Sequence, residues 1–246
     1  MGSLSEFLRG TALYGALRLL KGLLGDRGAL YDRQTIEVLS RLLRPDSSCV
    51  DVGCHRGEVL RHVVRLAPRG RHHAFEPIPE LARRLGRRYP GVAVHEAALS
   101  STPGRSKFQH VTNASGYSGL KRRLYDRPDP VIEEIEVDVT TLDAAVGPDA
   151  EVAFVKIDVE GGEVDVLRGG LATLRRCRPW ILFEAGPRST GQYGDGPDEI
   201  LALLVGACGY RLTTMSRWLH ERLPLQPEEL AGHWEREDEY YFLAVP

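Results

Sequence analysis

The sequence predicts an α/β protein whose parallel sheet is covered by helices on both faces, laid out like a Rossmann nucleotide-binding unit. Three observations predict it. From Ser48 onward, short runs rich in valine and isoleucine alternate with segments of helical period, the rhythm of parallel strands joined by helical crossovers. The run SSCVDVGCHRGEVL passes from strand to glycine turn to helix, which turns backbone N–H groups and a helix N-terminus toward a ligand. Finally, the stretch VAFVKIDVEGGEVDVLRGG carries a strand buried on both faces, with Lys156 its only charge, directly into acid.

In that last stretch Asp158, Glu160 and Glu163 follow the strand within six positions, and helical spacing resumes through Val164, Val166, Leu167 and Leu171. Carboxylates therefore gather at the C-terminal edge of a central strand, the edge where open parallel sheets bind ligands. Helix capping accounts equally well for Glu160 or Glu163 taken alone. It accounts less well for Asp158, which continues a buried strand into the crevice, where an uncompensated charge is costly.

A chain of 246 residues is long enough for one large α/β domain. With 32 basic and 34 acidic side chains there is no global field that would draw nucleic acid. The arginines between Arg56 and Arg88 lack interleaved aromatics and read as the solvated faces of two helices. Cys49, Cys54, Cys177 and Cys208 have neither zinc spacing nor disulfide density, which fits a reduced, cytoplasmic compartment.

Taken in order, Phe7 to Leu24 places Leu13, Leu17, Leu20 and Leu24 at helical spacing, an amphipathic helix with the wrong charge placement for a signal peptide. Two readings stay open for it: packing on the domain as a lid or homodimer contact, or peripheral contact with a membrane surface. A second helix is expected over Asp32–Leu43, ended by Pro45, so residues 1–46 form an N-terminal helical segment and 47–246 the main domain. Cys49–Val52 is a buried strand; Gly53 serves a tight turn, Gly57 close approach of backbone to ligand, and the helix starts at Glu58. As a dinucleotide fingerprint this is incomplete, since His55 takes the middle glycine's place. A second strand, HHAFEP, ends in Glu76 at about the separation from the glycine turn, roughly 20 residues, at which an acid reaches ribose hydroxyls.

After a helix over Pro79–Tyr89, VAVHEAALS is a third strand whose exit at Ala97 and Ala98 is small enough for a flat base. The rhythm then breaks between about 101 and 136, too long for a crossover and too patterned for a linker, and reads as an insertion shaping an acceptor pocket. His110, Asn113, Ser115, Tyr117 and Ser118 are its polar candidates. PWILFEAG is another buried strand ending in an acid, Glu184, and YRLTTM and YYFLAV are the final strands.

The motifs DVGCHRG, FEP, EAALS, KIDVEGGEVDVLRGG and FEAG, in this order, resemble those of the FkbM family of S-adenosylmethionine-dependent methyltransferases. The resemblance implies a Rossmann-like seven-stranded methyltransferase sheet, mostly parallel with an antiparallel last strand. It also implies S-adenosyl-L-methionine as cofactor and O-methylation of a hydroxylated small molecule: a natural product, sugar or glycolipid. On that analogy Asp51, Gly53, His55 and Gly57 surround the methionine part, Glu76 with Pro77 the ribose, and Ala97 and Ala98 the adenine. His55 stands where asparagine is common in the family. A methyl donor has one nucleoside and no pyrophosphate, so an incomplete phosphate fingerprint is expected, whereas a nicotinamide-dependent dehydrogenase would need a complete one. That dehydrogenase is the alternative by chemistry; a non-catalytic nucleotide-binding or membrane-associated scaffold is the alternative outside enzymes. Asp158 is the expected general base, with Glu160, Glu184 and His110 in reserve as base or acceptor ligands. No metal is expected, because no spaced histidine and carboxylate set accompanies these acids.

Overall fold

The structure, a computed structural model, describes residues 27–125 and 129–246, so the helix expected over Phe7–Leu24 lies outside the described residues. Its sequence alternation builds the expected sheet. The strands β1 (Cys49–Val52), β2 (His72–Phe75), β3 (Val92–His95), β7 (Phe154–Ile157) and β8 (Trp180–Glu184) pair parallel. With β9 (Arg211–Thr214) and β10 (Tyr241–Val245) they form one seven-stranded sheet in the order β3-β2-β1-β7-β8-β10-β9. The strand β10 is antiparallel to both its neighbours. From β1 the chain builds outward through β2 and β3 on one side and then returns to place β7 on the other. The strand order therefore reverses between β1 and β7, the position at which doubly wound sheets open a ligand crevice.

Each central strand is buried on both faces because helices cover both. On one face Val50, Val52, Val155, Ile157, Ile181 and Phe183 join a core completed by α4 (Leu142–Val146), α5 (Glu163–Arg168), α6 (Leu171–Cys177) and the segment from α7 (Pro197–Ile200) through Leu204. On the other, Cys49, Phe154, Leu182 and Leu243 pack with Tyr31, Val38 and Leu39 of α1 (Arg27–Leu42), Val63 of α2 (Leu60–Leu66), and Met215 and Leu219 of α8 (Met215–Leu219). The first helix begins earlier than its stripe from Asp32 suggested, and α2 begins at Leu60, two residues later than expected, after a run of turns from His55. The four cysteines are free.

The break in rhythm is a second sheet. VAVHEAALS is not one strand: β3 stops at His95, and β4 (Ala98–Leu99) leaves the main sheet to pair with β6 (Ile132–Thr140), which pairs on its other side with β5 (Gly104–Val111). Phe108, Ile135, Val137 and Val139 of this small sheet pack on Ile78 and Leu81, the second of which belongs to α3 (Pro79–Arg88). The inserted region is thus tied to the domain through its own apolar face. Among the described residues no helix is long and apolar enough to cross a membrane.

Two glycines separate the constraints of this fold from its tolerances. Gly53 has φ +72°, and a Cβ there would overlap the carbonyl oxygen of Asp158 across the switch point. Gly86, inside α3, has nothing within 4 Å of the corresponding position. Gly53→Ala should therefore lose on the order of 2 kcal/mol or more, through strain and displacement of the β7 exit. Gly86→Ala should gain about 0.5 to 1 kcal/mol from helix propensity. Denaturant midpoints of the two variants, measured against the parent, check both signs.

Candidate active site

The two-residue period of a strand decides which side chains meet at the switch point. Since Val50, Val52, Val155 and Ile157 face one core, Asp51 and Lys156 must face the other, and the register sets Asp51 beside Lys156 and Lys156 beside Leu182. Two residues further on, past the end of β7, Asp158 continues the same face. Glu184 does so from Leu182, and Tyr241 lies opposite Glu184 across the antiparallel pair. Four strands thus deliver Asp51, Asp158, Glu184 and Tyr241 to one face and one edge.

Lys156 ties them together. Its ammonium donates to the carbonyl of Gly53 at 2.8 Å and stands 3.6 Å from Asp51 and 3.4 Å from Asp158. Burial alone would lower its pKa, but the charges of Asp158 and Asp51 outweigh that and raise it, so it stays protonated. The Asp158 carboxylate also accepts a 2.8 Å hydrogen bond from the Tyr241 hydroxyl. Burial pushes its pKa up, while Lys156, Tyr241 and Glu184 bring it below the ordinary range. The Tyr241 hydroxyl, buried beside Asp158 and Glu184, is held far above its usual pKa and serves as a donor.

The loop after β7 is shaped by its own acids. Glu163 does not join the site; it turns inward, 1% exposed, accepts from the backbone N–H groups of Val159 and Gly161 at 3.0 Å each, and accepts from the Thr190 hydroxyl at 3.1 Å. This clamp holds Glu160 in the left-handed region, φ 62°, paired with Arg123 from the inserted region. The third carboxylate of the site is Glu184, and oxygens of Asp158, Glu160 and Glu184 lie within 4.8 Å of one another. Burial and the neighbouring carboxylates push Glu184 well above the ordinary glutamate range. Burial and Asp158 push Glu160 up to about 8 against the pull of Arg123. Such a spacing would admit a cation, but Lys156 and Arg123 already supply positive charge to Asp158 and Glu160.

These groups line a cavity of about 1030 Å³ that also takes in Asp51, Gly53, His55, Glu76, Pro77, Ala97 and Ala98. Pockets for single ligands run from about 300 to 1,000 Å³, so this cavity lies at the upper end of that range. The Glu76 carboxylate accepts from the backbone N–H of His55 at 2.8 Å and of Ile78 at 2.9 Å, which presents it to the cavity. The His55 ring reaches Ser115 of the inserted region at 2.8 Å. Asp51 is 2% exposed and neither of its oxygens accepts a hydrogen bond. A buried carboxylate with open acceptor sites, a ribose-facing acid and small residues at the β3 exit fit a cationic nucleoside such as S-adenosylmethionine.

Of the expected cofactor and catalytic residues, Gly57 and His110 do not line the cavity, and neither do Asn113 and Tyr117 among the polar candidates of the inserted region. A Cβ on Gly57, at φ +80°, would come within 2.8 Å of the Leu85 side chain, so the space beside this glycine is taken by α3. His110 sits opposite Glu133 within the β5–β6 pair. Sequence reasoning missed Lys156, Arg123, Tyr193 and Tyr241 as site residues, along with the cavity wall formed by Tyr31 and Asp32 of α1. Only Lys156 had left a signal, as a charge inside an otherwise apolar strand; the others depend on which distant strands and loops become neighbours.

Residues 51–212 match the family model of the methyltransferase FkbM domain. The 2-O-methyltransferase NoeI of Sinorhizobium fredii is 30% identical over 166 residues, which are 58% of this chain and 65% of that protein. The AMB antimetabolite synthetase AmbE of Pseudomonas aeruginosa is 30% identical over 209 residues, 68% of this chain and 10% of that much longer protein. This chain thus spans less than two thirds of either relative. The crystal structure of a methyltransferase FkbM from Methylobacillus flagellatus superposes with a TM-score of 0.51 at 17% identity, over 82% of this chain and 44% of the other, a likeness of fold.

Removing Lys156 strips two buried carboxylates of the cation between them. Lys156→Met leaves Asp51 and Asp158 as buried charges without their cation and should cost about 3 to 5 kcal/mol at pH 7. Asp158, its folded pKa depressed, contributes stability that is present above the ordinary aspartate range and lost as pH falls through the depressed value. The gap between variant and parent should accordingly narrow as the solution is acidified, which urea unfolding at a series of pH values would show.

Proposed function

The chain belongs to the FkbM methyltransferase family, and from that premise we propose that it moves a methyl group from S-adenosylmethionine to a hydroxyl oxygen of a small molecule, a sugar, glycolipid or other natural product. The observation that carries this reading is the cavity at the switch point, which brings cofactor-type residues together with a charged carboxylate, Asp158. The 2-O-methyltransferase among its relatives supports oxygen as the acceptor atom. When bound, the cofactor supplies an electrophilic methyl group on a sulfonium sulfur.

The chain's own residues do the rest. Asp51 offers its two open oxygens to the cationic end of the cofactor, Glu76 hydrogen-bonds the ribose, and Pro77, Ala97 and Ala98 leave room for the base. Asp158, kept ionised by Lys156 and Tyr241, would take the proton of an acceptor hydroxyl as general base. Proximity contributes as well, since holding the reacting atoms in line in a walled cavity is worth several kcal/mol. The inserted region carries Ser115, Ser118 and Leu120 to the cavity and Arg123 to Glu160, and α1 closes the opposite side with Tyr31, so both are placed to select the acceptor.

Titration calorimetry should find binding of S-adenosylmethionine and its demethylated product and none of nicotinamide dinucleotides. Glu76→Gln, which keeps the side chain's length, should weaken cofactor binding by about 1 to 3 kcal/mol. Unchanged affinity would remove Glu76 from the ribose site. Asp158→Asn at saturating cofactor should lower kcat about a hundredfold or more with the fold intact. A loss of under about threefold would leave catalysis to proximity. Mass spectrometry of hydroxylated metabolites incubated with the protein and cofactor would identify the acceptor by its gain of one CH₂ unit.

A further inference from the structure

The cavity carries more negative than positive groups. Asp51, Asp158, Glu160 and Glu184 line one cavity; Lys156 stands between Asp51 and Asp158, Arg123 pairs with Glu160, and Arg33 and Arg61 also line the cavity wall. Glu163 is not part of this balance, since its charge is met by two backbone N–H groups and the Thr190 hydroxyl. Glu184 has no cation among its described partners, and it sits beside Tyr241 in register, with Asp158 and Glu160 within 4.8 Å. Two carboxylates at that range in a partly dry site do not both stay ionised without a counter-charge; one keeps a proton and donates it to the other. The Tyr241 hydroxyl, already donating to Asp158, cannot supply that charge. On the far side of Lys156, Asp51 is buried with that ammonium 3.6 Å away and with neither oxygen accepting a hydrogen bond.

We propose that Glu184 is the proton-holding residue of this site: a neutral acid hydrogen-bonded to Asp158 until a cationic cofactor enters, and a carboxylate thereafter. The proton leaves for solvent as the charge of the ligand replaces it, so the negative charge at Asp158 and Glu184 reaches its full value once the methyl donor is seated. The inference rests on the methyltransferase reading for the identity of that cation. The raised pKa of Glu184, due first to burial and then to Glu160 and Asp158, agrees with the geometry. Glu184 acts on the acceptor through Asp158 and is in that sense a positioning residue.

The charged substrate and the neutral product of one reaction make the test. S-adenosylmethionine and S-adenosylhomocysteine differ by the sulfonium charge, so each is titrated at pH 7 into the protein in buffers of different ionisation heat, which counts protons released on binding. The parent should release close to one proton more, about one titrating group's worth, with the sulfonium ligand than with the thioether. In Glu184→Gln that difference should vanish while both ligands still bind. In Tyr241→Phe, Asp158 leans harder on the remaining proton, so the release should move to higher pH. Equal proton counts for the two ligands in the parent, or a difference that survives Glu184→Gln, would overturn the proposal. If neither ligand binds, the methyltransferase reading falls; the proposal is then judged by carbon-13 NMR of the glutamate side chains, where a Glu184 carboxyl ionised at pH 7 in the ligand-free protein refutes it.

Discussion

One buried ammonium organises this molecule. Lys156 lies on the middle strand of the sheet, where an apolar side chain would be the ordinary choice, and it binds the ends of β1 and β7 to each other through Asp51, Asp158 and the carbonyl of Gly53. A charge so placed must be compensated at short range, because transfer from water is expensive. The compensation fixes the spacing of two strand ends at the point where the sheet changes direction, and the glycine there has to be a glycine because the next strand's backbone fills the space of its Cβ. The crevice, the acids around it and the turn that presents Glu76 all hang from that junction.

Around it the protein uses identical side-chain types for different work, and environment makes the distinction. Glu163 is a structural clamp because three donors converge on it; Glu160 is paired with Arg123, which the inserted region delivers; Glu184 is pushed toward its neutral form by burial and by the carboxylates beside it. Asp158 keeps its charge because Lys156 and Tyr241 both donate to it. These four groups follow two strands of the same sheet.

The main sheet was legible because its signal is local and repeated: each strand is a short apolar run, each is followed by a helical stripe, and both faces are covered. Strand ends rich in acid and glycine located the crevice for the same reason, which brought Asp51, Gly53, His55, Glu76, Pro77, Ala97, Ala98, Asp158, Glu160 and Glu184 to one cavity. Where reading failed, the determining contact was distant. VAVHEAALS carries no mark of the point at which β3 ends and β4 defects to a second sheet, because both pieces are equally apolar. Gly57 looked like a ligand-facing glycine, but the space it leaves is taken by Leu85 of the next helix. His110 looked accessible to the site on polarity alone, while strand pairing directs it toward Glu133. Tyr241 could be found only by knowing that β10 inserts next to β8 with that register.

That insertion has a consequence for how the molecule is made. Within the main sheet β9 has one neighbour, β10, which follows it in the chain and separates it from β8. During synthesis β9 therefore emerges with no strand to pair with, and the edge of β8 stays open until some sixty residues later, on the order of a full supersecondary unit, have appeared. The sheet closes by an internal strand arriving last, and the residue that leads that strand is the one that donates to Asp158. Assembly of the fold and assembly of the charged site are accordingly the same late event, so a chain still being made cannot bring its reactive acids into their final arrangement ahead of its structure.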